Sequence, residues 1–60
     1  MKLEDLREKR KALGLTQFEL AEKIFIDRST ISLIERGMRT PSVDVLKRMA
    51  RVFGESIEIS

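Results

Sequence analysis

The sequence predicts an all-α fold, a compact bundle of four to five short helices in which two central helices meet at a tight corner. Apolar residues recur at helical spacing through most of the 60 residues. Turn residues break that pattern at Gly14, at Gly37 with Pro41 and Ser42, and at Gly54. No hairpin signal occurs before the last few residues.

The first helix is predicted from about Leu3 to Leu13. Leu3, Leu6, Arg10 and Leu13 follow at steps of three, four and three, which places them on one face. Gly14 stops the helix because it takes a left-handed conformation cheaply. Thr16 then caps a second helix, and Glu19 three residues later completes a capping box. Leu20, Ala21 and Ile24 form the inner face of that helix.

Asp27 is the expected N-cap of a third helix. There Ile31, Ile34 and Glu35 point inward, while Ser29, Ser32, Leu33 and Arg36 point outward. Gly37 ends it. Pro41 and Ser42 introduce a fourth helix from about Val43 to Phe53, with Val43, Leu46, Met49, Ala50 and Phe53 as a broad apolar face. Gly54 closes that helix. In the tail, Ile57 and Ile59 alternate as in a short strand, although a stunted fifth helix fits the same residues; the expectation is an ill-defined end that adds to a dimer contact.

The chain is expected to be a single domain over 1–60, with a core over about 3–54 and a tail over 55–60. A domain this small buries only ~60% of its unfolded surface. It has neither Cys nor His. That excludes disulfides, thiolate metal sites and nucleophilic triads built on Cys or His, and removes the commonest zinc ligands. A carboxylate-only or Ser-Lys active site would have almost no room for a pocket, so the expectation is no enzyme, no metal, no cofactor and no small-molecule ligand. No apolar run approaches the ~20 residues needed to span a membrane, and no signal-peptide core follows the N-terminus, so a cytoplasmic protein is expected.

Net charge is +2, and its distribution is uneven. Residues 1–27 carry six basic and six acidic side chains, residues 28–51 six and two, and residues 52–60 none and two. The positive charge therefore begins with the third helix.

The stretch from Leu15 to Pro41 concentrates the function. A short helix pair with a small, polar, partly basic outer face on its second member suits the major groove of DNA. TQFELAEKI, then RSTISLIERG, then a proline four residues past Gly37, resembles the lambda-repressor-like helix-turn-helix family of phage repressors, Cro proteins and xenobiotic-response-element-type regulators. Gln17, Leu20, Ala21, Ile31, Ser32, Glu35, Gly37 and Pro41 match in one register over roughly residues 3–54. The bundle would then hold a central helix-turn-helix, in which a small Ala21 lets the two helices cross closely.

Arg10 and Glu35 each interrupt an apolar face, which is costly unless the charges meet. The resemblance implies an Arg10–Glu35 ion pair; a phosphate contact from Arg10 is the other role open to it. The resemblance also implies base contacts from Arg28, Ser29, Ser32 and Leu33, with Arg28 suited to a guanine edge and Leu33 to a thymine methyl. Phosphate contacts are expected from Thr16, Gln17, Arg36, Arg39 and Thr40. A homodimer on a palindromic operator follows from the short reach of one module, with Val52, Phe53, Ile57 and Ile59 as its interface.

The function implied is sequence-specific double-stranded DNA binding by a prokaryotic or phage-encoded transcriptional regulator, a repressor in the first instance. An antitoxin, a restriction-modification controller and a protein-interaction module that has lost DNA binding share the same fold. Two positions depart from the family pattern. Phe25 occupies the corner where Gly is usual, and Asp27 stands where Ser or Thr is frequent, placing a negative charge near expected phosphates.

Overall fold

A computed structural model describes residues 3–55. A 3-10 turn over Leu3–Asp5 leads into α1 (Leu6–Ala12), followed by α2 (Gln17–Ile24), α3 (Arg28–Glu35) and α4 (Val43–Phe53). Leu6, Leu20, Ile24, Ile31 and Met49 are fully enclosed, with Ala21 and Ile34 completing the cluster. Each of the four helices thus contributes to one core, and α2 packs most extensively on α3. The tail, with Ile57 and Ile59, lies outside the described residues.

The helix ends follow from local chemistry. Thr16 Oγ1 accepts from the Glu19 N–H at 3.0 Å while Glu19 Oε1 accepts from the Thr16 N–H at 3.0 Å, a closed capping box. The Thr16 backbone N–H first, and the Thr16 side chain after it, hold the Glu19 carboxyl below its ordinary pKa. Ser42 Oγ caps α4 by accepting from Val45 N–H at 3.2 Å. At the other ends, all four helices close in the same way. The N–H groups of Leu15, Ile26, Met38 and Glu55 reach back to the carbonyls of Arg10, Ala21, Leu33 and Ala50 at 2.8–3.1 Å. Each such closure places one residue in the left-handed region, which at three of the ends is a glycine.

The fourth such residue is Phe25, at φ 59 and ψ 46. Its ring is 84% exposed and so offsets none of the backbone strain, whereas its neighbour Ile26 turns inward against the core. A left-handed L-residue costs ~1–2 kcal/mol, and glycine gives back part of that through a more mobile unfolded chain. Phe25→Gly is therefore expected to stabilise the protein by about 0.5–1 kcal/mol, raising Tm by several degrees in thermal unfolding. An unchanged or lower Tm would show that the corner is not strained.

Four sequence expectations need correction. The first helix is not continuous from Leu3, because its first residues form a 3-10 turn with Asp5 at φ −94, ψ 0. Leu13 is not on its buried face but 52% exposed, because it is the C-cap residue where the chain turns towards Gly14. Val43 is 52% exposed and Leu46 stands outside the group packed on the core; Val45 and Val52 pack there with Phe53. Val43 lies roughly 120° round the helix from Met49, at about 100° per residue, beyond the width of the seam. Finally, Asp27 holds the N-cap backbone conformation, but its side chain makes no cap bond. The Asp27 carbonyl takes the Thr30 N–H at 3.0 Å, a donor that an N-cap side chain ordinarily binds.

Candidate nucleic-acid interface

The site is organised around one buried ion pair. Arg10 on α1 is only 7% exposed. Its Nε donates to Glu35 Oε2 at 2.6 Å and its Nη2 to Glu35 Oε1 at 3.2 Å, a two-pronged contact across 25 residues. Arg10 Nη1 donates to the Leu15 carbonyl at 2.8 Å, and Gln17 Nε2 donates to Glu35 Oε1 at 3.1 Å. The guanidinium is therefore directed at the protein itself. One cluster fastens α1, the loop before α2, the first residue of α2 and the last residue of α3. Burial alone would raise the Glu35 pKa, but the bonds from Arg10 and Gln17, with the charges of Arg10 and Arg7, hold it below the ordinary value.

No described side-chain nitrogen or oxygen is buried without a partner, so the frame is closed internally. A further brace supports the corner. Arg48 of α4 donates to the Ile24 carbonyl at 3.0 Å, the last carbonyl of α2, and is itself held by Asp44 at 2.6 Å. This ties the end of α2 to α4 where the chain enters the strained Phe25 position.

From this frame α3 presents its other side to solvent. Arg28 and Ser29 are exposed at its first turn, and Ser32 and Leu33 are half-buried further along. Arg36, Arg39 and Thr40 are exposed at its end and in the following loop. Thr16 is exposed and Gln17 half-buried at the start of α2, on the side of α3 where Ser32 lies. Val52 and Phe53 are half-buried, packing in part against the chain's own core.

Sequence reasoning missed Arg7 and Met38. Arg7 shares a concavity with Arg10, Gln17, Ser32, Glu35 and Arg36, and a signal for it existed, since it stands three residues before Arg10 on the same helix. Met38 is 68% exposed in the loop beyond α3. Among the described residues, no helix is long and apolar enough to cross a membrane, and no group of three or more acidic side chains is placed to hold a metal ion.

Two helices meeting at a corner, the second projecting a polar face between basic flanks, define a helix-turn-helix protein. Comparison with known proteins agrees: the helix-turn-helix family model matches residues 6–59. The chain belongs to the lambda-repressor-like (Cro/C1-type) helix-turn-helix family, a family of DNA-binding transcription regulators.

An uncharacterized HTH-type transcriptional regulator of Methanothermobacter thermautotrophicus is 50% identical over 54 residues, covering 88% of this chain and 78% of the relative. One from Archaeoglobus fulgidus is 43% identical over 53 residues, covering 88% and 76%. The HTH-type transcriptional regulator ImmR of Bacillus subtilis is 36% identical over 53 residues, which span 88% of this chain but 42% of ImmR.

Proposed function

We propose that the protein regulates transcription as a repressor, binding a palindromic operator as a homodimer and inserting α3 into the major groove. The observation that carries this reading is the division of α3. Ile31 and Ile34 are locked in the core, while Arg28, Ser29, Ser32 and Leu33 line the side left to solvent. These four are the base-reading residues. Arg28 at the first turn suits the two acceptors of a guanine, and Leu33 suits a thymine methyl.

Phosphate contacts come from Thr16, Gln17, Arg36, Arg39 and Thr40, on either side of the reading helix. The Thr16 oxygen already accepts from Glu19, so its hydroxyl hydrogen is the group offered to a phosphate. Gln17 keeps its second amide hydrogen for the same purpose. Asp27 contributes no such contact, because its carboxylate repels one. The dimer forms through Val52, Phe53 and the tail isoleucines Ile57 and Ile59, of which Val52 and Phe53, in the last turn of α4, are half-exposed.

Selection of bound sequences from a random duplex pool tests the whole reading; a two-fold repeated half-site is expected, and no enrichment would refute it. With the selected site in hand, two substitutions separate the two kinds of contact. Arg39→Ala should weaken specific and non-specific binding alike and flatten the log–log salt dependence by about 0.9, the loss of one phosphate contact. Leu33→Ala should weaken only the selected site, and equal affinity for that site would remove Leu33 from the reading set. Failure to bind any duplex at low salt would favour a protein-interaction role.

A further inference from the structure

The shallow concavity between α1, the start of α2 and the end of α3 measures about 400 Å³ and is lined by Arg7, Arg10, Gln17, Ser32, Glu35 and Arg36. We propose that it seats one phosphodiester of the bound duplex, with Arg7 as a phosphate ligand opposite Arg36 and Gln17. The inference rests on the DNA-binding reading above. It adds a contact from α1, a helix outside the helix-turn-helix pair.

The chemistry of the lining selects an anion. Its one acidic group, Glu35, already accepts three hydrogen bonds, two from Arg10 and one from Gln17. The Arg10 and Glu35 charges cancel across a 2.6 Å contact, which leaves Arg7 and Arg36 as the net charge of the concavity. Both are exposed, and neither takes part in an ion pair among the described residues.

The remaining groups of α2 can donate: the second amide hydrogen of Gln17 and its backbone N–H, which has no partner inside the helix. Arg7 lies near enough to Glu35 to add to the lowering of its pKa, behind the hydrogen bonds of Arg10 and Gln17 that overcome the effect of burial. A phosphate fits this lining better than a base edge, since a base edge presents donors as well as acceptors. Ser29 and Leu33, on the base-reading side of α3, take no part in the lining.

The test is the salt dependence of duplex binding by the wild type, Arg7→Ala, Arg7→Gln and Lys11→Ala. Lys11 is an exposed cation of the same helix outside the concavity, so its removal changes net charge equally. The expected result is a log–log slope shallower by about 0.9 for both Arg7 variants and a clearly smaller change for Lys11→Ala. Thermal unfolding should be unaltered in all three, Arg7→Gln serving if Arg7→Ala does not fold.

Slopes of the Arg7 variants equal to the wild type's, or to that of Lys11→Ala, overturn the assignment. A wild type that binds no duplex at low salt instead overturns the DNA-binding reading itself, so the two failures are distinct. Inorganic phosphate added at constant ionic strength separates the sources of the anion. Unchanged duplex affinity supports a seat shaped by the duplex, and competition that disappears in Arg7→Ala supports a seat that both anions share, whereas competition that persists undiminished in Arg7→Ala places the anion elsewhere and overturns the proposal.

Discussion

Arg10→Met is expected to cost about 3–5 kcal/mol, because it strands the Glu35 carboxylate in a site where that side chain is only 3% exposed. A chain of 60 residues holds on the order of 3–9 kcal/mol in total. The variant should therefore lie close to unfolding at room temperature, which a urea titration followed by circular dichroism will show. Glu35→Gln should fall in the same range, since it leaves the Arg10 charge unpaired.

Replacing both partners, as in Arg10→Met with Glu35→Leu, should recover much of the loss, because neither charge then remains buried. If Arg10→Met proves neutral in stability while abolishing DNA binding, Arg10 is a phosphate ligand and the structural role is wrong.

The same pair sets an acid limit. The folded pKa of Glu35 is depressed from the ordinary value of 4.5. Between the folded and unfolded values the unfolded chain binds more protons, so stability rises with pH in that window. The contribution is complete above about pH 4.5 and is lost as the pH falls through the folded value. Glu19 contributes with the same sign. The diagnostic is thus the difference between the wild type and the double variant Arg10→Met with Glu35→Leu, whose Tm should decline less steeply below pH 4.5.

The second large effect is expected at Ala21, which is 2% exposed in the cluster joining α2 to α3. Ala21→Leu adds three carbon atoms where no space exists, a change that costs ~1–3 kcal/mol when the surroundings must shift. The movement separates the start of α2 from α3, and with them the proposed phosphate and base contacts. Duplex affinity of the folded fraction should fall by more than tenfold. Ala21→Gly costs about 1 kcal/mol of stability without crowding the crossing, so its folded fraction should bind as the wild type does. Wild-type affinity in Ala21→Leu would show that the spacing of the helices is not what positions the interface.

What the sequence made legible was whatever local chemistry decides. The Thr16–Glu19 box, the Ser42 cap and the glycine stops depend on a few consecutive residues, and they stand where the pattern puts them. Rotation about a helix axis was less legible. Residues 43, 45, 46, 49, 50, 52 and 53 are all apolar, so more than one face of α4 could have turned inward, and the neighbouring helices decided in favour of Val45 and Val52.

Asp27 is the N-cap of α3 as expected, and its missing side-chain bond has a related reason. An N-cap residue offers both a carboxylate and a carbonyl to the same N–H group, and here the carbonyl takes it. Arg7 read as one more surface charge on a mixed helix, because its nearness to Gln17 and Arg36 exists only once three helices meet. The bond from Gln17 to Glu35 was hidden in the same way: both residues stood out in the sequence, but for different duties.

The common closure of the four helices has a consequence for how such a protein changes over generations. Helix lengths are set by caps and left-handed stops that take no part in the exposed side of α3. Substitutions at Arg28, Ser29, Ser32 and Leu33 therefore leave the boundaries of that helix, and the side chains locking it in place, unaltered. A duplicated copy could acquire a new target by a few surface changes and never pass through an unfolded intermediate sequence. Divergence of recognition is in this way uncoupled from survival of the fold.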